Sequence, residues 1–192
     1  MIGFDEIKEI VEKTRCYRRF KKVNITQEEL IKVIDLARVT SSAKNLQPLR
    51  YVVVTKDKYK KEVFKPLKWA GALPRWEGPK SDEQPSAYII VIADKSISDY
   101  CMVDAGIAMQ TIMLSLTAIG YRGCILASID KKRYKEIFNL SDDLEPLFAI
   151  AIGKAGERVK IVESENINYY RNEDDEHCVP KRKLKEVIAG LF

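Results

Sequence analysis

Apolar residues recur along this 192-residue chain in helical and strand-like periods that alternate from end to end. Ile7, Ile10 and Val11 share one face of a helix predicted over Asp5–Thr14. Thr26-Gln27-Glu28-Glu29 is a capping box, in which Thr26 accepts from the Glu29 backbone and the Glu29 side chain reaches back. It opens a second helix with Leu30, Val33, Ile34 and Ala37 at helical spacing, ending near Val39. The β-branched run Tyr51–Thr55 predicts a strand, and Lys58–Lys65 a short helix. Ala87–Ala93 is apolar at every position, the pattern of a central strand covered on both faces. Asp99–Ile119 predicts one long helix, apolar nearly all round after Asp104, which must bury itself in a core or against a partner subunit. A Gly120-Tyr121-Arg122-Gly123 turn leads into a strand over Cys124–Ile129, Asp130 caps a helix carrying Tyr134, Ile137 and Phe138, and Pro146–Ile152 is a further strand. Two stretches lack a period: Lys68–Pro85, which holds Trp69 and Trp76, and the acidic-polar Glu163–Glu176, read as a surface loop. The alternation predicts a layered α/β arrangement in a single domain over 1–192.

Composition narrows the class. Hydrophobic residues at 46% and charged residues at 32% describe a globular chain. The longest apolar run, Ala105–Ile119, falls short of the roughly 20 residues of a membrane span and contains Gln110, Thr111, Ser115 and Thr117. Met1–Phe4 leads straight into the first helix without a leader pattern, so a soluble, cytoplasmic protein with no membrane partner is expected. A net charge of +5 admits an anionic ligand without demanding nucleic acid, and none is expected as a partner. Cys16, Cys101, Cys124 and Cys178 are far apart and His177 is the single histidine, so no metal centre is expected and the thiols fit a reducing compartment. No GxGxxG is present, Gly153-Lys154-Ala155-Gly156 lacks the features of a phosphate loop, and Ser41 and Ser42 have no histidine nearby in sequence.

Two stretches carry candidate chemistry. Ser41-Ser42-Ala43-Lys44-Asn45-Leu46-Gln47-Pro48 presents small and amide side chains at the mouth of a strand, suited to a flat polar ring. Arg15, Arg18 and Arg19 form the most basic segment, where two arginines could fork onto one phosphate or simply make a solvated turn. A second basic run, Lys181-Arg182-Lys183, lies near the other end. Trp69 and Trp76 read either as packing residues or as a shield over a ligand.

Taken in order, these pieces resemble the FMN-dependent nitroreductase family. Thr14-Arg15-Cys16-Tyr17-Arg18 is similar to its opening basic motif and Ser41–Pro48 to its Pro-Ser-x-x-Asn-x-Gln-Pro motif. Asp104–Ala108 with Gly120–Cys124 resembles its central helix and following turn, and Val179–Leu184 its C-terminal basic segment. The resemblance implies an α+β fold, a central mixed sheet flanked by helices, in an intertwined homodimer. It implies that Arg15, Cys16 and Arg18 meet the phosphate and ribityl end of FMN, with Lys181, Arg182 and Lys183 supplying a second clamp. Ser41, Ser42 and Ala43 would reach the flavin from the partner subunit, Asn45 and Gln47 would lie near its ring, and Ala127 and Ser128 beside its N5. Thr14 stands where the family has its first arginine, Cys16 where it has serine and Ser41 where it has proline. The implied activity is ping-pong transfer of electrons from NADH or NADPH, through FMN, to a nitroaromatic, quinone or similar small acceptor. The alternatives are a specialised relative acting in reductive dehalogenation or flavin modification, for which Lys68–Pro85 would be the substrate lid, and a non-catalytic flavin-binding redox module.

Overall fold

A computed structural model describes residues 3–192; Met1 and Ile2, where the leaderless start was expected, lie outside the described residues. The elements run α1 (Phe4–Lys13), β1 (Phe20–Lys21), α2 (Gln27–Arg38), β2 (Leu49–Val54), α3 (Asp57–Phe64), β3 (Ala87–Asp94), α4 (Cys101–Ala118), β4 (Arg122–Leu126), α5 (Lys131–Phe138), β5 (Leu144–Ala155), β6 (Val159–Glu163), β7 (Tyr170–Arg171), β8 (His177–Lys181) and α6 (Leu184–Val187). The capping box forms as the sequence predicts, with Glu29 N donating to Thr26 Oγ1 at 3.2 Å and Thr26 N to Glu29 Oε2 at 2.8 Å.

Strand pairing follows the order β1, β5, β3 and β2, and β4 also pairs with β5. Every strand pair in this sheet is antiparallel, so the expected mixture is carried solely by a parallel bridge between Cys16 and Gly123. The period-2 rule explains why β3 is apolar from Ala87 to Ala93. Its Ala87, Ile89, Val91 and Ala93 face a core built with α2 and α4, while Tyr88, Ile90 and Ile92 face a second core with Val63 of α3 and Tyr134 of α5. The antiparallel sheet is therefore covered on both faces, an arrangement more usual for parallel ones.

Helix α4 is long and apolar enough to cross a membrane by length and composition. It instead buries Ala105, Ile112 and Leu116 completely against the sheet and α2. Met102, Val103 and Ile107 remain exposed on its other side.

The region expected as a surface loop, Glu163–Glu176, is non-regular apart from Glu163 and the two-residue β7, which belong to a second, three-stranded sheet in which β8 pairs in parallel with β6 and antiparallel with β7. This sheet is tied back to the first by Glu157. Its carboxylate accepts from the backbone of Arg18 and, at 3.0 Å, of Arg19, and pairs with Arg171 Nη2 at 2.5 Å.

Candidate active site

The loop before β2 is held in an unusual backbone state. Lys44, Asn45 and Gln47 have φ of 52°, 56° and 52°, the left-handed region that costs L-residues roughly 1–2 kcal/mol each. Asparagine tolerates it; lysine and glutamine do so only where the surroundings impose it. The anchor is Asp104 of α4, a buried carboxylate that accepts from Ser42 Oγ and, at 3.0 Å, from Ala43 N. Ser42 Oγ in turn accepts from Gln47 N at 2.9 Å, and Gln47 Nε2 donates to Asn45 Oδ1 at 3.1 Å, so the small and amide residues form one connected turn.

This loop walls a cleft of about 500 Å³ between α2, β2 and α4, lined by Ser41, Ser42, Gln47, Tyr51, Asp104 and Ala108 among others. Burial, helped by the nearby Asp104 carboxylate, pushes the Tyr51 phenol up to about 12, so its hydroxyl keeps its proton throughout the working range. The cleft thus presents an apolar floor, with hydroxyl and amide groups, the Arg38 and Arg50 guanidinium groups and the Asp104 carboxylate in its lining, a setting suited to a flat ring with polar edges.

The basic segment lies elsewhere. Cys16 bridges Gly123 of β4, and Tyr17 N donates to Gly123 O at 3.0 Å. A Cβ there would come within 2.5 Å of Met113 Sδ, so a larger residue would have to push the methionine side chain aside. Arg15 turns back over the end of α1, donating to Thr14 O at 2.5 Å and Val11 O at 2.7 Å. Arg18 is buried, with its guanidinium 4.3 Å from the centre of the Tyr169 ring. Its Nη1 donates to Cys16 O at 3.2 Å and to His177 Nε2 at 2.7 Å, while Nε and Nη2 have no hydrogen-bond partner among the described residues and are not enclosed. Arginine has no acceptor, so His177 must be the neutral tautomer with its proton on Nδ1. Burial and then the Arg18 charge lower this imidazole to about 4. Arg19 Nη1 pairs with Asp175, while its Nε lies 3.6 Å from Glu83 Oε1 and is buried without a hydrogen bond.

Arg15, Cys16 and Arg18 come together, since both guanidinium charges act on the Cys16 thiol. Ser41, Ser42, Ala43, Asn45 and Gln47 form a second group, but the two groups do not meet. Loop 41–48 enters β2 level with Glu145 at the start of β5, whereas Gly123 pairs with Ile152 near its end. From the entry of β2 to Cys16, which bridges Gly123 on the far edge of β4, that is seven residues, about 23 Å along the strand, and four strand spacings, about 19 Å, across the sheet. The diagonal, about 30 Å, exceeds the length of an FMN molecule. Ala127 and Ser128 are exposed just beyond β4, where Ser128 O accepts from Lys68 N at 3.3 Å. Lys181, Arg182 and Lys183 are exposed at the end of β8, and Lys181 is four residues, about 13 Å, along the strand from His177.

Three contributors were missed in the sequence: Asp104 as the loop's anchor, and His177 and Tyr169 as the cradle of Arg18. Asp104 had a readable signal, being the one charge in an apolar helix. Trp69 and Trp76 take the packing role, Trp69 against Phe64 and Trp76 beneath Arg171.

Comparison with known proteins agrees with this architecture. The sequence model described as "Nitroreductase family" matches residues 11–154. Bacillus subtilis YodC, provisionally named an NAD(P)H nitroreductase, is 23% identical over 170 residues, 68% of this chain and 80% of its own. A Staphylococcus epidermidis protein provisionally described as an NAD(P)H:FMN oxidoreductase superposes with a TM-score of 0.72 at 19% identity, over 100% of this chain and 98% of that one. An Exiguobacterium sibiricum protein, provisionally described as a nitroreductase and solved in complex with FMN, superposes with a TM-score of 0.64 at 22% identity, over 82% and 90%.

Proposed function

Because the chain belongs to the nitroreductase family, we propose that it is an FMN-dependent oxidoreductase carrying electrons from NADH or NADPH to a nitroaromatic, quinone or similar small acceptor. The observation that carries this reading is Arg18. Its guanidinium is fixed on one side by His177 and Tyr169 and offers Nε and Nη2 on the other, a preformed fork for a phosphate. Arg15 and the free lysines 181 and 183 add positive charge, which fits a dianionic phosphate. Bound FMN would supply the electron exchange itself, so no titrating side chain need do so. The chain's residues would bind and orient: Arg18 and Arg15 at the phosphate end, and Ser42, Ala43, Asn45 and Gln47 as neutral contacts along the ring. The diagonal separation of these groups favours a homodimer in which loop 41–48 of one copy completes the site of the other. The related protein solved with FMN and the relatives named for NAD(P)H support the same cofactor and reductant.

The test is the visible spectrum of the purified protein with and without added FMN, followed by oxidation of NADH and NADPH with a quinone or nitroaromatic present. Flavin uptake with turnover is expected. Absence of uptake overturns the proposal, and uptake without turnover favours a non-catalytic redox module. Cytoplasmic localisation is part of the same reading, supported by four unpaired cysteines.

A further inference from the structure

Cys16 and Cys124 are adjacent in space although 108 positions separate them in the chain. Cys16 bridges Gly123, the residue next to Cys124, and its side chain packs against the core cluster that contains Cys124. One strand spacing sideways and one residue along gives a Cα separation of about 6 Å, inside the window a disulfide spans. The two thiols differ in setting. Cys16 is half-buried as a residue, and Arg18 and Arg15 direct positive charge onto its thiol. Cys124 is enclosed in the core with Tyr17, Leu126 and Ala149. The hydrogen bond from Cys124, then the backbone near Ile125 and the two arginines, outweigh burial and lower the Cys16 thiol to about 6, while Cys124 is pushed up. That asymmetry matches an attacking thiolate beside a resolving thiol. Cys101 and Cys178 have no such arrangement: Cys101 donates to Ser98 O, and Cys178 lies in the second sheet.

We propose that Cys16 and Cys124 form a redox-active dithiol that a hydroperoxide converts to an intramolecular disulfide. The Cys16 thiolate attacks the peroxide oxygen, the O–O bond breaks, and with one proton a water leaves, giving a sulfenic acid on Cys16. Cys124 sulfur then attacks the Cys16 sulfur, its proton joins the departing hydroxide as a second water, and the S–S bond forms. Overall two thiols are oxidised, one hydrogen peroxide is reduced, and two waters are released. A dithiol such as dithiothreitol reverses the change by exchange. The bond would lock the Arg15–Arg18 segment onto β4, and, resting on the flavin reading, would remove a thiol from the phosphate end of that site.

The full-length protein, in whatever flavin state it is purified, is reduced, desalted, treated with hydrogen peroxide, denatured and alkylated. Two of the four thiols are expected to become unreactive, with the tryptic peptides Cys16–Arg18 and Gly123–Lys131 joined, and dithiothreitol restores both. In Cys124→Ser the Cys16 sulfenic acid should persist and be trapped by dimedone. Four alkylated thiols, a different linkage, a linkage between chains, or irreversible oxygenation of Cys16 overturns the proposal. Because linkage is read by mass on the wild-type chain, the result stands even if Cys124→Ser folds poorly, and it is independent of whether flavin binds.

Discussion

Asp104 is the sole charge among the eighteen residues of α4, and its buried carboxylate meets two donors of one loop. Removing it strands Ser42 Oγ and Ala43 N together, so Asp104→Ala should lower stability by about 1–3 kcal/mol. Asp104→Asn, which keeps one acceptor oxygen, should recover part of that loss. Urea midpoints compare the two, and equal values for all three proteins would show that the anchor does not hold the loop. His177 makes a pH-dependent contribution of the opposite chemistry. Its folded-state pKa of about 4 lies below the ordinary 6.5, so between those values the unfolded chain binds the extra proton. The stabilisation is complete above about pH 6.5 and is lost as the pH falls toward about 4, an effect of up to about 3 kcal/mol. His177→Gln can still accept from Arg18 but cannot titrate. Between about pH 7.5 and pH 5 the wild-type urea midpoint should therefore fall further than that of the variant; parallel falls would assign the acid sensitivity to other groups.

At the level of elements, loop 41–48 stores strain that Asp104 and the following strand impose. Lys44 is exposed with φ of 52°, so Lys44→Gly relieves the backbone while Lys44→Val aggravates it. The glycine variant should be more stable than the valine variant by about 1–2 kcal/mol, seen as a shift in urea midpoint without a change in slope. Identical midpoints would mean that the loop relaxes freely and is not held. The same loop was legible in the sequence as small and amide residues before a β-branched run, whereas its left-handed backbone was not, because lysine and glutamine give no local cue for it. Helix α2 and strand β3 were legible because the capping box and the unbroken apolar run each specify one environment. Strand β4 was read too late, over Cys124–Ile129 and not Arg122–Leu126, because Gly123 looks like a turn residue. Its smallness instead answers the approach of Met113 from α4. Strands β6 to β8 were hidden by charged and polar residues whose partners lie far along the chain. The contact between Arg18 and His177 joins positions 159 apart, and no local pattern carries it.

For the whole molecule, α4 connects the cleft to an apolar surface. Asp104 and Ala108 line the cleft, while Met102, Val103, Gly106 and Ile107 on the neighbouring face are exposed. A Cβ on Gly106 would meet nothing within 4 Å, so the backbone there is open to close approach. Phe4 and Ile7 of α1 and Leu36 and Val39 at the end of α2 are exposed apolar side chains as well. A second copy seated against α4 would cover its apolar stripe beside the cleft, and could bring its own Arg15–Arg18 segment toward loop 41–48, which one chain alone holds about 30 Å apart. Oligomeric state and flavin binding should then fail together. Val103→Lys places a charge in the stripe at a position exposed in the single chain, where the cost to folding should stay within about 0.5 kcal/mol. Sedimentation should show a dimer for the wild type and a monomer for the variant, and the monomer should retain little FMN while keeping its secondary structure by circular dichroism. A variant monomer that held FMN as tightly as the wild type would locate the whole flavin site within one chain. A variant that remained dimeric would move the interface away from α4.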